Sequence, residues 1–219
     1  MSFKKNKYVV IKKAISKDMA LFLYNYLLIK RQVTHSLFEK KYISPFERIF
    51  GTFGDGQVPK AFCTYGDTAM ETLLLKTQPL VEKQTGLKLL PNYSYARIYG
   101  HGDELVRHID RFSCEVSTTI HLGGEPWPIC IDPTGKETLP GAKDIPKGIS
   151  IDLKPGDMLV YRGDLLEHWR NFFNGETHAQ VFLHYGNSKT KQGKSNIYDG
   201  RIHLGLIKDP VFLQQKDKK

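Results

Sequence analysis

Two hydrophobic periods divide the chain. In KDMALFLYNYLLIKRQ, residues 17–32, the apolar positions Met19, Phe22, Leu23, Tyr26 and Leu27 follow the i, i+3, i+4 spacing of one helical face. Ser16 precedes that run as an N-cap, and Asp18 complements the positive end of the helix dipole. A second helix fits GDTAMETLLLKTQPLVEKQTG, with Asp67 or Thr68 as its cap and Glu71 completing a capping box from Thr68. Gly86 can take the left-handed conformation that ends a helix, and Pro79 predicts a kink or a break. KYVVIKK near residue 7 reads as a short strand. Residues 35–64, with GTFGDGQVPK, are glycine-rich and irregular, and read either as a functional loop such as a lid or as an ordered connection.

From Leu89 the period becomes two. YSYARIY sets Tyr93, Tyr95, Arg97 and Tyr99 on one face, and EVSTTIHL, ICI, ISIDL, DMLVYRG and HAQVFLHY are further short strands. KPGD at 154–157 has the proline and glycine of a type II turn. Helices followed by many short strands predict an α+β, mainly β fold: a double-stranded β-helix, or jelly roll, supported by N-terminal helices. The simplest organisation is one domain over 1–219, with helical support at about 14–88, a core at about 89–186 and a C-terminal extension at 187–219.

Composition narrows the classes. The chain has 219 residues, 40% of them hydrophobic, enough for one sizeable core. No run reaches the length of a membrane span, and no signal-peptide apolar region follows MSFKKNKYVVIKK, so the reading is a cytoplasmic protein with no membrane partner. Cys63, Cys114 and Cys130 lack CxxC spacing and read as reduced thiols. The net charge of +9 admits a nucleic-acid partner, but the lysines cluster at the termini and in NSKTKQGKSN, where a solvated surface explains them. No feature sets an oligomeric state.

The chemistry sits in VRHIDRF. His108 and Asp110 are two apart, so on a strand both face one side, about 6 to 7 Å apart at the backbone. Together they can converge on one ion. His168 in YRGDLLEHWRNFF, at the end of the strand that KPGD opens, is the best third ligand. Two histidines and one carboxylate leave about three positions open on an octahedral metal, which suits non-haem Fe(II). HxD alone is also an ordinary hydrogen-bonded pair. Its place after a strand and a glycine turn, with a later histidine after a second turn-initiated strand, favours the metal.

The segments YSYARIYGHGDELVRHIDRFSCEVSTTIHLGG and LKPGDMLVYRGDLLEHWRNFFNGETHAQVFLHY resemble the Fe(II)/2-oxoglutarate-dependent dioxygenases, in the prolyl 4-hydroxylase-like branch, over roughly residues 90–186. The resemblance implies that His108, Asp110 and His168 hold Fe(II). It also implies that 2-oxoglutarate and O2 are co-substrates, and that succinate and CO2 are released as a C–H bond is hydroxylated. Ascorbate is a candidate auxiliary reductant. The family places a lysine or arginine about ten residues after the last histidine to hold the distal carboxylate of 2-oxoglutarate. Here His178 stands there, a departure from the pattern. A neutral imidazole offers one hydrogen bond and a protonated one a charge. Gln180 shares its face. Arg97 and Tyr95 are alternative anchors, Tyr99 matches the tyrosine that reaches the C1 end, and His121 is a further co-substrate contact on the face of Ser117 and Thr119. Trp127 and Trp169 read as packing residues, Arg162 and Arg170 as exposed arginines flanking the site, and Glu167 as facing away from it.

The substrate expected from this resemblance is a peptide or protein, as for peptidyl-prolyl 4-hydroxylases, or a small molecule. A nucleic-acid demethylase of the same superfamily is the alternative that the charge supports. That branch, however, carries two arginines in the strand after its last histidine, and THAQVFLHY has none. A non-catalytic metal-binding jelly roll is the third reading, and the complete ligand set argues against it.

Overall fold

A computed structural model describes residues 3–136, 138 and 145–208. The chain begins with α1 (Phe3–Asn6), β1 (Tyr8–Ile11), α2 (Lys17–Glu39), β2 (Thr52–Phe53), β3 (Phe62–Tyr65) and α3 (Thr68–Thr85). Then come β4 (Leu89–Gly100), β5 (Leu105–His108), β6 (Val116–Gly124), β7 (Ile129–Ile131) and β8 (Ile149–Ile151). The last elements are β9 (Met158–Tyr161), β10 (His168–Arg170), β11 (Thr177–Asn187), α4 (Lys191–Ser195) and a 3-10 turn, Ile197–Gly200. Of the expected C-terminal extension, residues 209–219 lie outside the described residues.

The strands form two antiparallel sheets. The larger has seven strands in the order β1-β9-β6-β11-β4-β3-β2, and the smaller has four in the order β5-β10-β7-β8. Their inner faces pack together. Tyr99 and Phe182 of the large sheet share a buried cluster with Leu105 of β5, and Leu159 and Tyr161 share another with Ile129 and Ile131 of β7. The outer face of the large sheet is covered by α2 and α3, where Leu23, Leu27, Met70 and Leu74 meet Ile98, Ile120, Val181 and Leu183. Each such side chain contributes about 1.5–3 kcal/mol by leaving water. Gly123 lets α2 come close: a Cβ there would lie 2.6 Å from the Tyr24 ring.

The helix signals hold at the caps and shift in the details. Ser16 accepts from the Met19 amide, and Asp67, not Thr68, accepts from the Ala69 and Met70 amides. Gly86 ends α3 at φ 73°. The helical face of α2 is rotated from the expected one. Ala20, Leu23, Leu27 and Thr34 are buried, whereas Phe22 is 69% exposed. Pro79 sits inside α3 without ending it. The carbonyl its ring would crowd belongs to Leu75, on the exposed side, where water can take the lost bond. KPGD forms its turn, with Gly156 at φ 90° and the Asp157 amide donating to Lys154 O. All three cysteines are free and buried. Among the described residues no helix is long and apolar enough to cross a membrane.

Glu71 does not close a capping box, because the tertiary structure uses it. Its Oε1 accepts from the Ser94 amide and from Arg201 Nη2 at 2.7 Å, inside the protein. Arg201 is fully buried and also donates to Asn92 O, tying the segment after α4 to α3 and β4. Replacing one member of a buried pair strands the other charge. Arg201→Ala is therefore expected to cost about 3–5 kcal/mol, read as a lower urea midpoint with the slope unchanged. A loss under about 1 kcal/mol would show that the pair is solvated.

Candidate active site

The antiparallel pairing of β10 with β5 puts His168 directly opposite His108. Their rings lie 4.3 Å apart at the centroids. His108 Nδ1 faces Val106 O at 2.7 Å and His168 Nδ1 faces Leu166 O at 3.0 Å, so each Nδ1 carries the proton and each Nε2 presents a lone pair. His168 is not at the end of the strand opened by KPGD. That strand, β9, ends at Tyr161, and the chain turns through Arg162–Leu166 into the other sheet before His168 begins β10.

Asp110 lies just past the end of β5, where its amide donates to Gly163 O at 2.8 Å. Its Oδ2 accepts from Ser117 Oγ at 2.6 Å. Oδ1 is left facing His168 Nε2 at 3.6 Å and His108 Nε2 at 3.9 Å. Ligand atoms of the three residues all lie within 4.8 Å of one another. Gly163 leaves the space the carboxylate needs, since a Cβ there would meet Asp110 Oδ2 at 2.1 Å and Ser117 Oγ at 2.3 Å. Burial, then the neighbouring His168, pushes His108 down to about 4. Burial alone would raise Asp110, but His168 and the Ser117 hydrogen bond outweigh it and hold the carboxyl low. A neutral imidazole at His108 and an ionised carboxylate at Asp110 are the protonation states a divalent metal requires of those two residues. A second cluster of Asp110, Cys114 and His184 lies behind. Its thiol is pushed up to about 12 by burial, and Ser117 lies between Asp110 and His184 Nδ1, the latter at 3.0 Å.

A cavity of about 180 Å³ opens onto the triad, lined also by Tyr95, Arg97, Leu105, Tyr161 and Phe182. The register of β4, β11 and β6 places Tyr99 beside His178, and Arg97 beside Gln180 and then His121, on one inward face. Arg97 and Tyr95 line the cavity but are engaged. Asp55 Oδ2 accepts from Arg97 Nη2 at 2.6 Å and from Tyr95 Oη at 2.7 Å. Burial opposes that carboxylate, but Arg97 and then Tyr95 bring it down to about 2. Tyr99 is fully buried against Trp127, and Arg97 Nη1 faces its hydroxyl at 3.4 Å.

His178 and His121 are stacked at 4.5 Å, deep in the sheet. His121 has both ring nitrogens against backbone carbonyls, Leu153 O at 2.8 Å and Gly123 O at 3.1 Å. His178 Nδ1 faces Glu125 O at 2.7 Å, while its Nε2 has no partner among the described residues. Burial, and then the charge of Arg170, lower its pKa and keep the ring neutral. Gln180 Oε1 accepts from Thr119 at 2.7 Å, and its amide nitrogen has no partner among the described residues.

Arg170 departs most from its sequence reading. It is 1% exposed and points inward. Arg162 pairs with Asp164 as a partly exposed residue would. Glu167 faces away, paired with Arg107. Trp127 packs as expected against Tyr99 and Phe173. The sequence reading missed Ser117 as the clamp on Asp110, Gly163 as its cradle and Asp55 as the partner of Arg97.

No protein-family model and no curated protein sequence matches the chain. Solved structures share its fold. A prolyl-4-hydroxylase from Pseudomonas putida aligns over 84% of this chain and 94% of its own, at 12% identity and a TM-score of 0.55. The viral collagen prolyl hydroxylase of Paramecium Bursaria Chlorella virus-1, solved as a 2-oxoglutarate complex, aligns over 83% and 97%, at 13% identity and a TM-score of 0.51. HygX from Streptomyces hygroscopicus, solved with nickel, 2-oxoglutarate and hygromycin B, aligns over 87% and 86%, at 12% identity and a TM-score of 0.58.

Two substitutions test the carboxylate's setting. Ser117→Ala frees Asp110 and is expected to weaken Mn(II) or Co(II) binding by about 10- to 100-fold in calorimetric titration. Gly163→Ala is expected to displace the carboxylate and abolish binding while the circular dichroism spectrum is retained. Wild-type affinity in both would remove Asp110 from the ligand set.

Proposed function

We propose that this chain is an Fe(II)- and 2-oxoglutarate-dependent dioxygenase on a double-stranded β-helix fold, formed as one domain. The observation that carries this reading is the convergence of His108 Nε2, His168 Nε2 and Asp110 Oδ1 at the end of a cavity, with the other side of the set open. Three protein ligands on one face suit an ion that must also take a chelating co-substrate and O2. The shared fold with prolyl hydroxylases and HygX supports it. With iron and 2-oxoglutarate held there, O2 would be the oxidant: one oxygen atom would enter the substrate C–H bond and the other succinate, as 2-oxoglutarate gives up two electrons and CO2.

The chain's own residues do the rest. His108, His168 and Asp110 hold the ion. The carbonyls of Val106 and Leu166 and the hydroxyl of Ser117 aim those ligands. Leu105, Tyr161 and Phe182 line the cavity with apolar surface that limits water beside the metal. A cleft of about 560 Å³ meets this cavity at Tyr93 and Tyr95 and is our substrate entrance. Its walls carry both signs of charge, Arg48, Arg111 and Lys208 with Asp55 and Asp199, and Arg111 pairs with Asp199 at 2.8 Å. Such a surface suits a peptide, as for a peptidyl-prolyl 4-hydroxylase, or a polar small molecule. The two carboxylates weigh against a polyphosphate backbone.

Succinate release from 2-oxoglutarate under Fe(II) tests this reading, with proline-rich peptides, free proline and alkylated oligonucleotides as prime substrates. Release is expected to be stimulated by a peptide or small molecule, and to fall to background in His108→Ala and Asp110→Ala. Succinate release that survives both changes, or iron-loaded protein that yields none under any condition, would overturn it.

A further inference from the structure

Arg170 is a buried cation with no counter-ion among the described residues. One nitrogen, Nη1, donates to Trp127 O, and the guanidinium carbon lies 5.0 Å from the Trp127 ring centroid. Its Nε and Nη2 have no hydrogen-bond partner among the described residues. An arginine carries five N–H donors and keeps its charge, so burying it without an anion is costly. The other large buried arginine, Arg201, has Glu71, and Arg97 at the cavity has Asp55. Arg170 is the exception, and the unpaired Gln180 amide is a second donor on the inner face.

Its position gives the missing anion a size. Along the β10–β5 ladder His168 pairs with His108 and Arg170 with Leu105. The ladder bulges between these pairs, two residues of β10 against three of β5. His168 and Arg170 are nevertheless both buried with Trp169 half-buried between them, so Arg170 shares the inward face of a metal ligand about 6–7 Å along the strand. Leu105, His108 and His168 all line the cavity. A five-carbon diacid that chelates the metal through its keto-acid end reaches that distance with its other carboxylate. The rival anchors are spent. His178 uses its N–H on Glu125 O, leaving a nitrogen that can only accept, and His121 has a carbonyl at each ring nitrogen.

We propose that Arg170 holds the distal carboxylate of 2-oxoglutarate, with the Gln180 amide as second donor. The guanidinium comes from the strand of the last metal ligand, instead of from position 178 on the next strand. This deepens the dioxygenase reading and rests on it.

The test compares 2-oxoglutarate with 2-oxobutyrate, which has the same chelating head and no distal carboxylate. Anaerobic Fe(II)-loaded protein is titrated with each, following the visible charge-transfer absorption of the chelate. Wild type is expected to half-saturate with 2-oxoglutarate at a roughly 100-fold lower concentration. In Arg170→Met that preference is expected to vanish, with 2-oxobutyrate unaffected, while His178→Ala retains it. Ligand-free Arg170→Met is expected to melt no lower than wild type, since an unpaired charge has been removed; a purely structural arginine would lower the melting temperature.

A second measurement does not alter Arg170. In Trp169→Phe, Trp127 is the sole tryptophan, and glutarate without metal is expected to change its emission while 2-oxobutyrate does not. A preference that survives Arg170→Met, or no response of Trp127 to glutarate, overturns the proposal. If no 2-oxo acid gives the chelate band while glutarate still perturbs Trp127, the dioxygenase reading fails and the anion site stands. If both acids chelate at equal concentration in wild type, the anchor fails and that reading stands.

Discussion

The register that sets His168 of β10 opposite His108 of β5 brings two imidazoles together from distant parts of the chain. A slip of β10 by one residue would turn His168 to the other face and leave His108 alone, so the site is only as well defined as that pairing. Packing holds the register: β10 lies between β5 and β7, with His168 also paired to Ile131. Asp110 then needs only a short tether, which the Gly163 carbonyl and the Ser117 hydroxyl supply from two neighbouring segments.

The interior the two sheets enclose is more polar than a stable core requires. The outer face of the large sheet is an apolar layer under α2 and α3, whereas its inner face carries Ser117, Thr119, His121, Arg97, His178, Gln180 and His184, all buried. Most of these groups have partners. Among the described residues, His178 and Gln180 keep an unpartnered nitrogen, as does Arg170 of the small sheet; the other unpartnered buried groups are hydroxyls, of Thr64, Ser94, Ser113 and Thr118. Each unpaired buried group costs stability, and such costs persist where a ligand completes the set. The fold thus separates the layer that stabilises it from the layer that we assign to binding.

Much of this was legible in the sequence, where local chemistry decides. Ser16 and Gly86 mark helix ends, KPGD a turn, and the Tyr93–Tyr99 alternation a strand, because each signal acts within a few residues. His108, Asp110 and His168 were legible through their residue types and order. What failed depended on partners distant in the chain. Glu71 looks like a capping residue until Arg201 arrives from the C-terminal side. Phe22 fits the helical face as well as Ala20 does, and only the sheet beneath selects the rotation. Arg170 reads as a surface residue because arginines usually are, although alternation puts it on the same face as His168. His178 holds the place the family pattern gives to a basic residue, while the buried charge that we assign to that role sits eight positions earlier.

The most direct test of the account is an anaerobic crystal structure with Mn(II) and 2-oxoglutarate, Mn(II) standing in for iron on the same donors. The ion is expected on His108 Nε2, His168 Nε2 and Asp110, with the keto-acid end of the ligand chelating it and the far carboxylate on Arg170. An ion seated on Asp110, Cys114 and His184, or a ligand whose far carboxylate pairs with Arg97 after displacing Asp55, would contradict it.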